Sequence, residues 1–149
     1  MNRKVFILGS GGHSSVLLEL LEEQNLSPYG VVSPEKIDAE SHFSGLKHFH
    51  DDDEIFAFTP QEIFLLNGIG SLPGNSSRSL IYNKFKHLGY EFLTLISQKA
   101  LISPNCHISE GVQILPGAIV NRGATIGQNT IINSGSIIEH DCKVGENNH

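Results

Sequence analysis

Residues 102–149 read ISPNCHISEGVQILPGAIVNRGATIGQNTIINSGSIIEHDCKVGENNH, and one register within this stretch decides the fold. Ile102, Ile108, Ile114, Val120, Ile126, Ile132, Ile138 and Val144 stand six residues apart without a break. Four residues after each comes Cys106, Val112, Ala118, Ala124, Thr130, Ser136, Cys142 or Asn148, all small or medium-sized. A period of six cannot be the stripe of an α-helix, which needs apolar residues every three or four positions, and it is too regular for hairpins. It predicts a parallel β-helix. One branched aliphatic per short strand points inward, small residues let the chain turn, and successive coils pair about 4.8 Å apart. Gly111, Gly117, Gly123, Gly127, Gly135 and Gly145 recur at positions suited to corners. With three strands per coil, the eight hexads make between two and three coils. Cys106 and Cys142 then lie two coils apart, about 9–10 Å along the axis. A disulfide spans Cα atoms up to about 7 Å apart, so both cysteines are expected as reduced, corner-filling residues.

Outside the hexads the composition changes. All 11 aromatic residues lie before residue 95, as a narrow interior lined by Ile and Val has no room for rings. Residues 1–95 carry 7 basic and 12 acidic side chains, a net of −5, and residues 96–149 carry 3 and 4, a net of −1. Two architectures therefore share the chain, divided as 1–95 and 96–149. The whole, 149 residues with a net charge of −6 and 39 % hydrophobic residues, has room for a real core. Its acidic balance argues against a general nucleic-acid or anionic-membrane binder, both of which need a basic face. No apolar run approaches the roughly 18 residues of a membrane span, and Met1-Asn2-Arg3-Lys4 precedes only a short apolar run, so a soluble, cytoplasmic protein is expected.

The first part opens with Lys4-Val5-Phe6-Ile7-Leu8, a buried strand by its composition, leading into Gly9-Ser10-Gly11-Gly12-His13-Ser14. Val16, Leu17, Leu20 and Leu21 follow at helical spacing. Strand, glycine turn and helix open a nucleotide-binding α/β unit, where glycines admit a ligand close to the backbone and a helix N-terminus favours an anion. Further strands are predicted at Tyr29–Val32, Ile63–Gly70 and Phe92–Ile96. A helix is predicted over Asn75–Leu88, with Leu80, Ile81, Phe85 and Leu88 on one stripe and Ser76 or Ser77 as cap. Gly9 and Gly11 fit the dinucleotide fingerprint G-x-G-x-x-G/A. Ser14 takes its third slot, however, and Ser33-Pro34 stands where an acid would end the second strand, against a dinucleotide-binding oxidoreductase. No Lys-Ser/Thr follows the glycines, which excludes a Walker loop. A tight turn that only joins strand to helix stays open as a reading. His42, His48, His50 and the run Asp51-Asp52-Asp53-Glu54 fit no metal-ligand spacing and read as a solvated loop, so no metal site is assigned.

The motifs Ile7-Leu8-Gly9-Ser10-Gly11-Gly12-His13, Gly68-Ile69-Gly70, Arg78 to Tyr90, the Ile96 to Pro104 junction and Ile138-Glu139-His140-Asp141-Cys142 within the hexads combine over the whole chain. In that combination the sequence resembles the bacterial sugar O-/N-acyltransferases of the NeuD/PglD type, the sialic acid O-acetyltransferase-like family. The resemblance implies a Rossmann-like α/β domain over 1–95 that holds a nucleotide-linked sugar. It implies a left-handed β-helix over 96–149 that trimerises and takes acetyl-CoA between neighbouring helices, with no nucleic acid or membrane as partner. It matches His140 to the general base and Asp141 to its acidic partner, Gly11, Gly12 and His13 to the acceptor-binding turn, and Asn133 and His149 to positions near the acyl donor. The expected function is an acetyl-CoA-dependent acetyltransferase acting on a nucleotide-linked amino sugar or a sialic-acid-like sugar in surface glycan biosynthesis.

Acyl transfer from a thioester needs a base near the nucleophile, and imidazole, with an ordinary pKa of about 6.5, suits that task. A neighbouring carboxylate holds one tautomer and stabilises the imidazolium as it forms. Hydrogen-bond donors take up the charge of the tetrahedral intermediate. Straight-strand alternation would put His140 on the same side as the inward Ile138, so a corner or a subunit interface is needed to re-aim it. The sequence stops at Asn147-Asn148-His149, within a repeat, and reads as a piece of a longer protein whose further coils complete the donor site. The alternative is a non-catalytic module for nucleotide-sugar binding and trimerisation.

Overall fold

The computed structural model describes residues 3–149. They form two compact units, one ending at Leu93 and the other spanning Thr94–His149. In the first, β1 (Lys4–Leu8), α1 (Gly12–Glu23), β2 (Gly30–Val32), β3 (Lys47–Phe49), β4 (Ile63–Asn67) and α2 (Ser77–His87) follow one another. The strands make one parallel sheet in the order β3-β2-β1-β4. Phe6 is in register with Gly30 on one side and Leu65 on the other. Val5 to Leu8 are all buried, the unbroken apolar run of a strand covered on both faces. The Phe6 ring packs against Tyr29, Phe49 and Phe58 with centroids 5.2, 5.1 and 4.9 Å away. From α1, Leu17, Leu18, Leu20 and Leu21 turn inward.

Three local features differ from the sequence reading. β3 lies inside the segment read as a polar loop, because Lys47-His48-Phe49 is too short and too polar to carry a period. Gly30 makes its pairing possible, since a Cβ there would come within 2.6 Å of the Phe49 ring. The acidic run is ordered: a 3-10 helix spans Asp52–Ala57, with Asp51 accepting from Asp53 N and Glu54 accepting from the Asp51 and His50 amides. That is a capping box, and Lys84 adds an ion pair with Asp52 at 3.2 Å. The buried face of α2 is Arg78, Tyr82 and Phe85, while Leu80 and Leu88 are exposed. The aliphatic stripe loses because the Tyr82 ring packs tilted against Phe92 with centroids 4.6 Å apart and Arg78 finds carbonyl partners inside. Phe92 itself makes a single bridge to Leu65 and opens no strand.

The second unit consists of two-residue strands: β5 (Leu95–Ile96), β6 (Leu101–Ile102), β7 (His107–Ile108), β8 (Gln113–Ile114), β9 (Ile119–Val120), β10 (Thr125–Ile126), β11 (Ile131–Ile132), β12 (Ile137–Ile138) and β13 (Lys143–Val144). They build three parallel sheets, β11-β8-β5, β12-β9-β6 and β13-β10-β7, the faces of a left-handed parallel β-helix. Thr125 pairs with His107 on one side and Lys143 on the other, so one coil is three hexads. Val112, Ile114, Ala118, Val120, Ala124, Ile126 and Ile132 fill the interior, with Ile102, Ile108, Ile138 and Val144 packed against them. Ile96 joins this cluster, so the inward register begins one strand before the hexad count does. Cys106 and Cys142 are free thiols in one column with Ala124 between them. Among the described residues no helix is long and apolar enough to cross a membrane.

All three tyrosines lie in the first unit, so tyrosine fluorescence reports on its unfolding. Phe6→Ala is expected to destabilise it by about 3–5 kcal/mol in denaturant titration, the usual cost of emptying a fully buried aromatic site. A loss under about 1 kcal/mol would remove Phe6 from its central role.

Candidate functional site

The first group of candidates sits where β1 runs into α1. Gly9 takes φ +98°, a conformation that favours glycine, and its N–H donates to Val32 O at 2.7 Å. A Cβ built on Gly11 or Gly12 meets nothing within 4 Å, so these glycines leave the backbone bare on an open side. α1 has no side-chain cap and no acidic residue in its first turn, so nothing in the helix itself answers the positive end of its dipole. His13 follows, half-buried. A Cβ on Gly70 would lie 3.6 Å from His13 Cβ, so the glycine turn after β4 faces the turn after β1. β1 and β4 are the neighbours at which the strand order reverses, the position where open parallel sheets receive ligands.

Ser14, in the third fingerprint slot, has a structural task. Its hydroxyl lies 2.8 Å from Gly9 O and 3.0 Å from Gly68 O, tying the two turns together. Gly68 makes room for it, since a Cβ there would strike Ser14 Oγ and come within 2.8 Å of Leu8 O. Arg78 Nη1 donates to Asn67 O at 2.9 Å and Ile69 O at 2.7 Å, clamping the second turn, and burial pulls its guanidinium down to about 10. An open groove of about 460 Å³, lined by Ile69, Ser77, Leu80, Ile81 and Lys84, lies beside that turn. At the end of β2, where the fingerprint has an acid, Ser33 Oγ pairs with Ser10 Oγ at 2.8 Å and His48 Nε2 meets Ser33 O at 2.9 Å. The His48 and His50 rings are 4.0 Å apart. Among the described residues no group of three or more His, Cys, Asp or Glu is arranged to hold a metal ion. These roles of Ser14, Gly68 and Arg78 depend on contacts with other segments, Ser14 with the turn after β4 and Arg78 with Asn67 and Ile69, which no local sequence pattern signals.

The second group lies in the β-helix. β12 ends at Ile138, and Asp141 takes the left-handed conformation with φ 60°, so straight alternation does not extend to His140. This corner re-aims the imidazole outward. His140 Nδ1 lies 2.9 Å from Asp141 Oδ2, with the two side chains 77 % and 80 % exposed. The Asp141 hydrogen bond and charge, with a smaller contribution from Glu139, hold the imidazole above its ordinary value of 6.5. In the neutral ring Nδ1–H donates to Asp141, which leaves the Nε2 lone pair facing outward as a proton acceptor. Asn133 follows β11 and is exposed, its Oδ1 accepting from Ser134 N at 2.9 Å. Ile131 N donates to Asn148 O at 2.9 Å, which puts His149 on the same side of the solenoid, one coil on. The structure thus brings His140 and Asp141 into contact, and it sets Asn133 and His149 along one face of the same unit.

A titration of His140 followed by NMR is expected to give a midpoint above 6.5, and Asp141→Asn is expected to lower it. Because the folded value is raised, the pair's stabilising contribution is full below the ordinary value and lost as pH rises through the folded midpoint. An unchanged midpoint in Asp141→Asn would dissolve the pair.

The pattern of the PglD N-terminal domain matches residues 4–85 of this sequence. Among solved structures, a mutant of perosamine N-acetyltransferase from Caulobacter crescentus, in complex with CoA and GDP-perosamine, is 28 % identical with a TM-score of 0.82. The match covers 95 % of this chain and 65 % of that one, so the chain spans just under two thirds of that enzyme's length. PerB from Caulobacter crescentus, also with CoA and GDP-perosamine, matches at 28 % identity and a TM-score of 0.78, over 94 % of this chain and 64 % of that one. The acetyltransferase domain of PglB from Neisseria gonorrhoeae, in complex with acetyl coenzyme A, is 23 % identical with a TM-score of 0.81, over 97 % and 68 % of the two chains, a likeness of fold.

Proposed function

The chain belongs to the PglD N-terminal domain family, and from that premise we propose that it is an acetyl-CoA-dependent acetyltransferase acting on a nucleotide-linked amino sugar. The observation that carries the proposal is the exposed His140–Asp141 pair, 2.9 Å apart, on a β-helix that follows an α/β unit with a bare glycine turn. His140 Nε2 takes the proton of the acceptor nitrogen or hydroxyl as that atom attacks the thioester carbonyl. Asp141 stabilises the imidazolium so formed. Collapse of the tetrahedral intermediate expels the CoA thiolate, and His140 returns the proton to it, so no covalent enzyme intermediate is needed. The matching Caulobacter enzyme's complex with CoA and GDP-perosamine supports this pairing of donor and acceptor classes.

Within this reading the first unit holds the acceptor. Gly11 and Gly12 offer backbone N–H groups to its diphosphate, and His13 borders the sugar. Asn133 and His149 flank the acyl donor. The cytoplasm, with surface glycan biosynthesis as the process, follows from the activated character of both substrates, and a sialic-acid-like acceptor is the other class this site would suit. A homotrimer is the proposed assembly. Its support is a column of Leu101, Ile119 and Ile137 on the outer side of β12-β9-β6, in which Leu101 and Ile137 are 68 % and 57 % exposed.

Two experiments test the proposal. Calorimetry on a full-length version of the protein with GDP-perosamine and with acetyl-CoA is expected to register binding of both, and His140→Ala in that version to keep both while lowering turnover at least about 10²-fold. Full turnover in His140→Ala would sink the base assignment, and binding of the sugar nucleotide alone would favour a non-catalytic module. Analytical ultracentrifugation is expected to find a trimer that Ile137→Asp dissociates; a monomeric parent protein would overturn the assembly.

A further inference from the structure

Gly123 lies one coil before Asp141, in the register that pairs Thr125 with Lys143. The two corners are in contact. A Cβ built on Gly123 would strike Asp141 Oδ1, and it would stand 3.1 Å from Asp141 Cγ and 3.4 Å from its backbone nitrogen. The other carboxylate oxygen, Oδ2, is the one that lies 2.9 Å from His140 Nδ1. The carboxylate therefore fills the space left by the missing side chain of Gly123 with one oxygen while it holds the imidazole with the other. We propose that Gly123 is a positioning residue for the His140–Asp141 pair, its bare α carbon forming the seat that fixes the carboxylate against the imidazole. The proposal deepens the reading of His140 as a base and rests on it for its functional meaning.

Backbone conformation alone does not account for glycine here. Gly123 has φ +76°, but Asn129 and Asn147 hold similar corners at φ 55° and 56°, so the left-handed region in this solenoid accepts asparagine. At Gly117, with φ +75°, a Cβ would find its nearest atoms 3.8 and 3.9 Å away, an ordinary contact with Gly135. At Gly135 it would meet nothing within 4 Å. Of these three corner glycines, Gly123 is the one whose vacant side is occupied by a chemically active group. A side chain there must push the carboxylate aside, and the carboxylate carries its contact with His140 along.

The test is an NMR titration of His140 in the whole 149-residue chain. Gly123→Ala and Gly123→Asn are both expected to lower the midpoint to the value found in Asp141→Gly, because each displaces the same carboxylate. Gly117→Ala, which brings the same corner strain without the collision, is expected to leave the midpoint where it is in the parent protein. Adding Gly123→Ala to Asp141→Gly is expected to cause no further shift. Should Gly123→Ala and Gly123→Asn fail to fold alone, Asp141→Gly is expected to rescue both, since the obstructing carboxylate is gone. A parent-like midpoint in either folded Gly123 variant, an equal fall in Gly117→Ala, or failure of the rescue would each overturn the proposal. The midpoint reports the seat and turnover reports the base, so the two readings fail separately.

Discussion

Coil-on-coil stacking is the constraint on which the second unit depends. Each two-residue strand pairs with the strand one coil away, so each side chain has a fixed neighbour in the adjoining coil at about the strand spacing, and those of the middle strands β8, β9 and β10 have one on either side. A column must therefore be filled by residues compatible with themselves. Branched aliphatics satisfy this inside: Ile96, Ile114 and Ile132 lie in one column, and Ile108, Ile126 and Val144 in another. Small residues satisfy it at the bends, as in Cys106, Ala124 and Cys142. Polar residues do so by bonding within the column, as when Asn129 Nδ2 donates to Asn147 Oδ1 at 2.8 Å. The catalytic candidates obey the same rule. The chain at Asp141 is steady because its amide donates to Arg122 O at 3.0 Å, and its carboxylate has room because Gly123 is bare.

The α/β unit reaches order by a different route. Its sheet is narrow, and its first strand, like β2, has a neighbour on each side. Phe6 collects the aromatic cluster on one face of that strand, while the turn beyond Leu8 is fixed by Ser14 and Gly68. The bonds from Ser14 and Arg78 leave the outward side of Gly11 and Gly12 unobstructed. Rigid support beneath and bare backbone above is what a turn needs to hold a charged ligand close to its N–H groups without collapsing onto itself. It also explains why the fingerprint glycine in the third slot can be replaced: the close helix-to-strand approach that the glycine provides elsewhere is supplied here by a glycine on β4's side of the contact.

How much of this was legible in the sequence follows from the range of the interactions involved. The solenoid was readable because its period repeats eight times, and repetition averages out local ambiguity. The β1–α1 opening was readable because strand, glycines and helix adjoin one another. β3 was not, since three residues carry too little pattern, and neither was the buried face of α2, since Tyr82 and Arg78 are turned inward by Phe92, Asn67 and Ile69, partners outside the helix that its own period does not reveal. The capping box at Asp51 to Glu54 shows the same limit from another side, because identical residues serve a solvated loop or an ordered helix start. His140 and Asp141 were found by resemblance. Their direction was not, because it depends on one backbone conformation, φ 60° at Asp141, that no residue type demands.

That conformation links the regularity of the solenoid to its chemistry. In a straight strand, adjacent side chains point to opposite faces and cannot hydrogen-bond laterally, so a His-Asp dipeptide would scatter its two groups. The corner at Asp141 changes the geometry, bringing the carboxylate round onto the imidazole of its neighbour, and both groups remain on the outside where a substrate can reach them. The arrangement needs a corner that accepts a non-glycine residue at positive φ and a preceding coil that gives up its own side chain at the same level. Asn121 Nδ2 donating to Glu139 Oε2 at 3.1 Å shows that the stacked residues just before this corner use their side chains to hold one another. At Gly123 that possibility is surrendered. The carboxylate below is left to act sideways on His140, and a repeat built for uniform stacking acquires one position at which two side chains of the same coil work together.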